Sequence, residues 1–440
     1  MSKVRAVTEK TTLDRIVSRI SASKVRNKEA GFFEITRTSK EILSRVRYTL
    51  RTGIDPWDAA TGGMPFGRIV ELYGLESCGK TAMAIRSVVR AQQKQIYEIT
   101  DKGWVLIDPK KIVVTLLYID NEQSLPDDDK IVVDGQTIDA ALGRCDTIDQ
   151  LFKMIDITIE GIQEIQKEED DEETGIKHFL VCVVDTISST SSKEEMTAEW
   201  GKDDYSRQPK ALRLGFRRMS REINRQNVLL ICTNQVSDNL KASAGGKRPR
   251  SNTPMDADFV SYGGKALKYY ASLRVFMFKL RDYKLIKESK FPAGFLIGFC
   301  TIKNRQTKPV RSGRMVLLFD RGFSNVFSIL EHLIFMDFAE VSETGKIAFK
   351  FSTFGIETKT FTSEKKSSLE DDDDRGSRVK NPSISTRAEW PAFYDAHKLD
   401  FEVLLQKATE AMFAMEGLDD AAVSSEREAV EMDVIEDDES

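Results

Sequence analysis

Runs of almost wholly apolar residues alternate along the middle of this chain with stretches whose apolar positions recur every three to four residues. The runs are Arg68–Tyr73, Ile112–Ile119, Phe179–Val184, Val228–Thr233, Leu273–Phe278 and Met315–Phe319. Those at 112–119, 179–184 and 228–233 hardly alternate, the pattern of strands covered on both faces. Helical periodicity fills 80–95 and 209–225. Strand and helix in turn predict an α/β protein with a mostly parallel sheet under helices. The segment Tyr97–Pro109, with Asp101-Lys102-Gly103 as its turn, reads as an inserted hairpin.

The flanks differ from this core. Residues 11–28 place Leu13, Ile16, Val17 and Ile20 on one helical face, with Thr11 or Thr12 as the cap. A short apolar segment, Gly31–Ile35, follows. Residues 356–387 are rich in Ser, Thr, Lys and Asp, including Asp371–Asp374, and read as a charged linker. Residues 388–415 return to a helical pattern, with Phe393, Phe401, Leu404, Leu405 and Met412 as packing positions. The expected organisation is an N-terminal arm (1–39), a core (40–330), a small C-terminal region (331–415) and a disordered acidic tail (416–440).

Charge becomes informative only when divided. The net charge is −5, but residues 416–440 hold eleven acids and one arginine; removing their −10 leaves the body at +5. A mildly basic body with an acidic tail suits a polyanion partner better than the total implies. No apolar run approaches the roughly 20 residues that cross a bilayer, and the first residues lack the apolar stretch of a secretory signal, so a cytoplasmic location is expected. Five cysteines without a C-x-x-C pair and three histidines argue against a zinc site. Cys182, Cys232 and Cys300 sit in or beside apolar runs and are expected to be core thiols.

The chemistry concentrates where strands end. Gly74-Leu75-Glu76-Ser77-Cys78-Gly79-Lys80-Thr81 is a complete phosphate loop, with a strand before it and a helix after it. Its backbone N–H groups and the helix N-terminus would cradle the phosphates of ATP. Lys80 would reach the β- and γ-phosphates, and the Thr81 hydroxyl would hold Mg²⁺. Asp185 ends the run 179–184 and is the second Mg²⁺ candidate. Glu122, just beyond the run 112–119, stands where a carboxylate can orient the attacking water or take its proton. Gln235, ending the run 228–233 after Asn234, can hydrogen-bond a γ-phosphate and register its loss.

These residues, in this order, resemble the RecA-type homologous recombinases over roughly residues 50–325. Gly62 through Thr81 resembles that family's entry into its phosphate loop. Ile119–Glu122 resembles its catalytic-glutamate segment, Val184-Asp185-Thr186 its Mg²⁺ aspartate, and Thr233-Asn234-Gln235 its γ-phosphate sensor. Gly263–Ser272 resembles the segment that closes the family's second DNA-binding loop. Leu75 and Cys78 depart from the usual loop, the stretch between Gln235 and Gly263 is longer, and Pro126 and Asp127–Asp129 stand where an adenine-stacking aromatic belongs. Phe319 is the remaining candidate for an adenine contact. Such divergence suggests a distant, phage-like member.

The resemblance implies a RecA-like phosphate-loop ATPase core that forms a filament on single-stranded DNA and pairs it with a homologous duplex, in recombination and repair. Two loops would face the DNA. One lies near 188–207, with Trp200, Lys202, Tyr205 and Arg207; the other near 237–262, with Lys241, Lys247, Arg248, Arg250, Phe259 and Tyr262. Cations neutralise phosphates and aromatics stack on bases. Lys303 and Arg305 would reach the nucleotide of the adjacent subunit, and Phe32, Phe33 and Ile35 would add the arm to the next subunit's sheet, or else pack on their own core. The acidic tail would compete with DNA for basic surfaces, or serve solubility. Single-strand-binding and loader proteins are further candidate partners, in a bacterial nucleoid or an infected host cell. The competing expectations are a ring helicase or motor on the same fold, and a non-exchanging recombination mediator.

Overall fold

The computed structural model describes residues 46–101, 103–123, 125, 132–133, 136–168, 174–197, 207–238, 259–356 and 382–414. The expected arm, residues 198–206 of the first expected DNA loop, residues 239–258 of the second, residues 357–381 of the expected linker 356–387 and the acidic tail lie outside them.

The predicted runs all become strands of one sheet. Its order, from one edge, is Gly322–Ser324, Ser312–Leu318, Gly294–Asn304, Leu273–Tyr283, Arg68–Gly74, Val228–Asp238, Lys177–Asp185, Ile112–Asp120 and Ala141–Gly143. From Leu273–Tyr283 to Ala141–Gly143 neighbouring strands run parallel. On the other side of Leu273–Tyr283 they run antiparallel. The short strand Phe259–Ser261 pairs antiparallel with the end of Val228–Asp238. The expected hairpin is present as Ile96–Thr100 against Gly103–Leu106, outside this sheet.

The unbroken apolar runs exist because both sheet faces are covered. In Lys177–Asp185, Phe179, Val181 and Val183 join one core with Met83, Ala84 and Val88 of the helix Lys80–Gln92. Leu180, Cys182 and Val184 join the opposite core, under the helices Ile148–Glu168 and Arg207–Arg225. Each of these six strand residues is at most 1% exposed, so their apolar area is wholly withdrawn from water. The helix Arg207–Arg225 touches the helix Ile148–Glu168 closely: a Cβ on Gly215 would lie 1.9 Å from the Phe152 ring. All five cysteines are buried and unpaired by disulfides.

The boundary expected at 330/331 falls inside the helix Asn325–Phe335. Ile329, Leu330 and Leu333 of that helix share a core with Phe349, Trp390, Phe401 and Met412. Trp390 Nε1 donates to the Val326 carbonyl at 2.6 Å, and its ring packs on Phe349 and Phe401. The expected C-terminal helical stretch comprises Trp390–Ala396 and Lys398–Ala414. Among the described residues no helix is long and apolar enough to cross a membrane.

Candidate nucleotide site

Parallel strands deliver their C-terminal ends to one edge, and the candidate residues collect there. A cavity of about 590 Å³ is lined by Glu76, Lys80, Thr81, Glu122, Asp185 and Gln235, among others. Sequence positions 76–81, 122, 185 and 235 are thus brought into one place.

The loop's shape depends on its small residues. Gly79, with φ of 83°, is the residue before the helix Lys80–Gln92, and Ser77 also has positive φ, at 54°. A Cβ on Gly74 would lie 1.9 Å from the Met277 backbone oxygen, so only glycine lets the Arg68–Gly74 and Leu273–Tyr283 strands pair here. Lys80 Nζ donates to the Gly74 and Leu75 carbonyls at 3.1 and 2.6 Å. Cys78 donates through Sγ to the Leu75 carbonyl, and burial pushes its thiol up. It thus fills the departure from the usual loop as a buried structural residue.

Asp185 is 1% exposed, and both its carboxylate oxygens are engaged. Tyr118 Oη donates to Oδ2 at 2.7 Å, and Thr233 Oγ1 donates to Oδ1. Burial first, then the Asp185 charge, pushes the Tyr118 phenol upward, so it stays a neutral donor. No group of three or more His, Cys, Asp or Glu side chains among the described residues could hold a metal alone. The donor set present, one hydroxyl and one pre-engaged carboxylate beside a phosphate loop, fits Mg²⁺, which keeps waters and shares phosphate oxygens.

Glu122 also lines the cavity, its backbone N–H donating to the Asp185 carbonyl at 3.3 Å. Desolvation first, then the charge of Asp185, raise its carboxyl above the ordinary range; Gln235 and Lys80 oppose them. Gln235 Nε2 donates to Glu122 Oε1 at 2.9 Å.

Phe319 is 58% exposed, away from the cavity lining, and meets Phe295 edge-on at 4.9 Å. Phe295 and Leu317 line the cavity instead. Lys303 and Arg305 do not line it either. Lys303 Nζ donates to the Lys268 and Tyr269 carbonyls at 2.8 and 3.0 Å, and desolvation, with Arg305 and Arg274 nearby, lowers its pKa to about 8. Arg305 is exposed, its N–H held by the Ser272 carbonyl.

Of the expected DNA-facing residues, Trp200, Lys202, Tyr205, Lys241, Lys247, Arg248 and Arg250 lie outside the described residues. Arg207 begins the helix Arg207–Arg225. Phe259 is half-buried and stacks on Phe276 at 5.4 Å, while Tyr262 is 45% exposed. The helix after Arg207 carries a basic face that the sequence reading passed over: Lys210, Arg213, Arg217 and Arg221 are all exposed, three to four residues apart. Its signal was the interleaving of these cations with buried Leu212, Phe216, Met219 and Ile223. Tyr118, Thr233 and Phe295 were also missed, and nothing in their local sequence marks them.

A mostly parallel α/β sheet whose strands assemble a phosphate loop, an acidic pair and an amide around one cavity defines a phosphate-loop nucleotide-binding protein. Residues 27–324 match the family model of the RecA N-terminal domain, and the chain belongs to the RecA family. It is 25% identical to Protein RecA of Methylobacterium sp. strain 4-46, over 75% of this chain and 79% of that one. It is 26% identical to Protein RecA of Laribacter hongkongensis, over 69% and 73%. It is also 25% identical to the mitochondrial DNA repair protein recA homolog 3 of Arabidopsis thaliana, over 61% of this chain; that match spans only about half, 53%, of the plant protein.

Proposed function

We propose that this chain is an ATP-dependent DNA recombinase, which forms a filament on single-stranded DNA and catalyses homologous pairing and strand exchange. The observation that carries the reading is the Gln235–Glu122 hydrogen bond. Gln235 lies on the Val228–Asp238 strand, which leads directly into the expected second DNA loop. A single side chain therefore touches the hydrolytic carboxylate on one side and the DNA-facing loop, through its backbone, on the other.

In this reading Gly74–Thr81 holds the triphosphate, with Lys80 as its cation. Thr81 and Asp185 would hold Mg²⁺, which when bound would supply positive charge beside the transferring phosphoryl group. Tyr118 and Thr233 keep the Asp185 carboxylate aimed by donating to it. Glu122 orients the attacking water or accepts its proton, and its raised pKa suits a base. Lys303 and Arg305, remote from their own cavity, act on the adjacent subunit's nucleotide. The exposed stripe Lys210, Arg213, Arg217 and Arg221 extends the phosphate-neutralising surface that begins at Arg207.

The test is joint-molecule formation by the purified chain with ATP and Mg²⁺, using a labelled single strand and a homologous duplex. Joint molecules that require homology, and vanish with Lys80→Ala, are expected. DNA-stimulated ATP hydrolysis without joint molecules would point instead to a motor or a mediator on this fold.

A further inference from the structure

Behind the cavity, on the other side of the Gln235 strand end, lies a buried polar cluster outside the nucleotide site. Glu71, 0% exposed, sits on the Arg68–Gly74 strand, three residues before the phosphate loop. One carboxylate oxygen accepts from Asn234 Nδ2 at 2.9 Å; the other accepts from Arg274 Nε. The Asn234 amide also donates to the Tyr262 backbone carbonyl at 3.0 Å. Arg274, 4% exposed, lies over the Tyr73 ring at 4.5 Å and reaches Ser261 Oγ at 3.5 Å. Arg274 is also the ladder partner of Lys303 on the neighbouring strand.

Three segments that the nucleotide and DNA would act on therefore meet at one ion pair. They are the strand feeding the phosphate loop (Glu71), the residue beside the sensor (Asn234) and the return strand of the second DNA loop (Ser261, Tyr262). An ordinary packing role would be served by apolar residues, because desolvating two charges costs more than hydrophobic contact at such a place. Leaving a member of a buried charged network unpaired is costly, which favours a few discrete arrangements over graded deformation.

We propose that the Glu71–Arg274 ion pair, bridged by Asn234, is the positioning element that couples the nucleotide site to the DNA loop and to Lys303. The inference rests on the proposed function and deepens it. A backbone shift at 234–235 changes the reach of the Asn234 amide toward Glu71 and Tyr262 together. The loop's return strand and the phosphate-loop strand then move as one. Glu71 and Arg274 touch neither nucleotide nor DNA; they act through Asn234, Tyr262 and Ser261.

The experiment measures a ratio that a merely structural role leaves alone. With the full chain, the affinity for a fluorescent single strand is measured with ADP and with a slowly hydrolysed ATP analogue. The affinity for each nucleotide is then measured with and without the strand. Linkage requires the two coupling factors to agree. The double variant Glu71→Met with Arg274→Met removes both charges at once, the exchange buried pairs tolerate best. It is expected to bind nucleotide within about threefold of the wild type while the coupling factor falls about tenfold or more, the span of ordinary couplings. If the double variant does not fold, Arg274→Lys keeps the charge but cannot span Glu71, Ser261 and the Tyr73 face. Its coupling is expected to fall at least about threefold. Wild-type coupling in a folded variant overturns the inference and leaves the functional reading standing. A wild type whose strand affinity ignores the nucleotide overturns the functional reading, and this inference with it.

Discussion

Gln235 donates its side-chain amide to the Glu122 carboxylate at 2.9 Å, joining one sheet strand to the segment just beyond another. The two residues are 113 positions apart in the chain. Each is an ordinary polar residue; together they place a carboxylate and an amide side by side in the lining of the phosphate cavity.

Glu122→Gln keeps the shape of this contact but removes the proposed base. Nucleotide affinity is expected to stay within a few-fold, and hydrolysis to fall about 10² to 10⁴-fold. Single-turnover hydrolysis beside an equilibrium nucleotide titration separates the two effects. Equal losses in both would take Glu122 out of the catalytic role.

Gln235→Ala leaves Glu122 and the phosphate loop in place. Basal hydrolysis is expected to change less than its stimulation by single-stranded DNA, which should fall about tenfold or more, within the usual range of coupling between sites. Steady-state hydrolysis across a DNA titration reads both. Full stimulation in the variant would break the link from this amide to the loop.

Lys303 carries a pH signature. Its pKa of about 8 lies below that of an ordinary lysine because of desolvation and then Arg305 and Arg274. It is charged below that value and loses its proton as pH rises through it. DNA-stimulated hydrolysis is expected to decline above about pH 8, while Lys303→Arg holds its charge to far higher pH and flattens that limb. Lys303→Ala should retain nucleotide binding and lose the stimulation. For folding the sign is opposite: the unfolded lysine binds its proton more tightly, so this group's contribution to stability rises with pH above about 8. Identical profiles for wild type and the arginine variant would remove Lys303 from the step.

Tyr118→Phe deletes the donor to Asp185 Oδ2 and little else, since the ring stays buried. A hydrogen bond to a charged group contributes about 1.5 to 3 kcal/mol. Thermal denaturation should register part of that loss. The Mg²⁺ concentration for half-maximal nucleotide binding should rise several-fold as the carboxylate loses its orientation. Unchanged Mg²⁺ dependence would reduce Tyr118 to packing.

Trp390→Ala tests the C-terminal packing. Trp390 is 0% exposed against Phe349 and Phe401, and a large aromatic lost from such a core costs about 3 to 5 kcal/mol. Because those residues share a core with the helix Asn325–Phe335, one cooperative unfolding transition is expected to shift as a whole. A separate low-temperature transition would mark the region as an independent unit.

Much of the site was legible because phosphate binding is local. Eight consecutive residues supply the loop, and the backbone N–H groups they present need only glycines at 74 and 79 and a helix start at Lys80. Glu122, Asp185 and Gln235 were legible for a related reason: each closes or follows an apolar run, and parallel strands bring such ends to one edge. Tyr118 and Thr233 were not legible. Each is buried inside a strand, where a hydroxyl looks like any half-polar core position until a neighbouring strand places a carboxylate against it. Phe319 had the right chemistry at the right strand end, yet Phe295, one strand over, lines the cavity.

The sequence by itself determined the class of fold, the phosphate loop and the order of the chemical groups, because periodicity and short-range backbone geometry are written in adjacent residues. Only the tertiary structure decided which side chains meet. The strand order set Glu71 between Arg274 and Asn234, and it brought Gln235 within hydrogen-bonding distance of Glu122. Those contacts join residues from 113 to 203 positions apart, and their existence depends on strand neighbourhood and register, which no single stretch of sequence encodes.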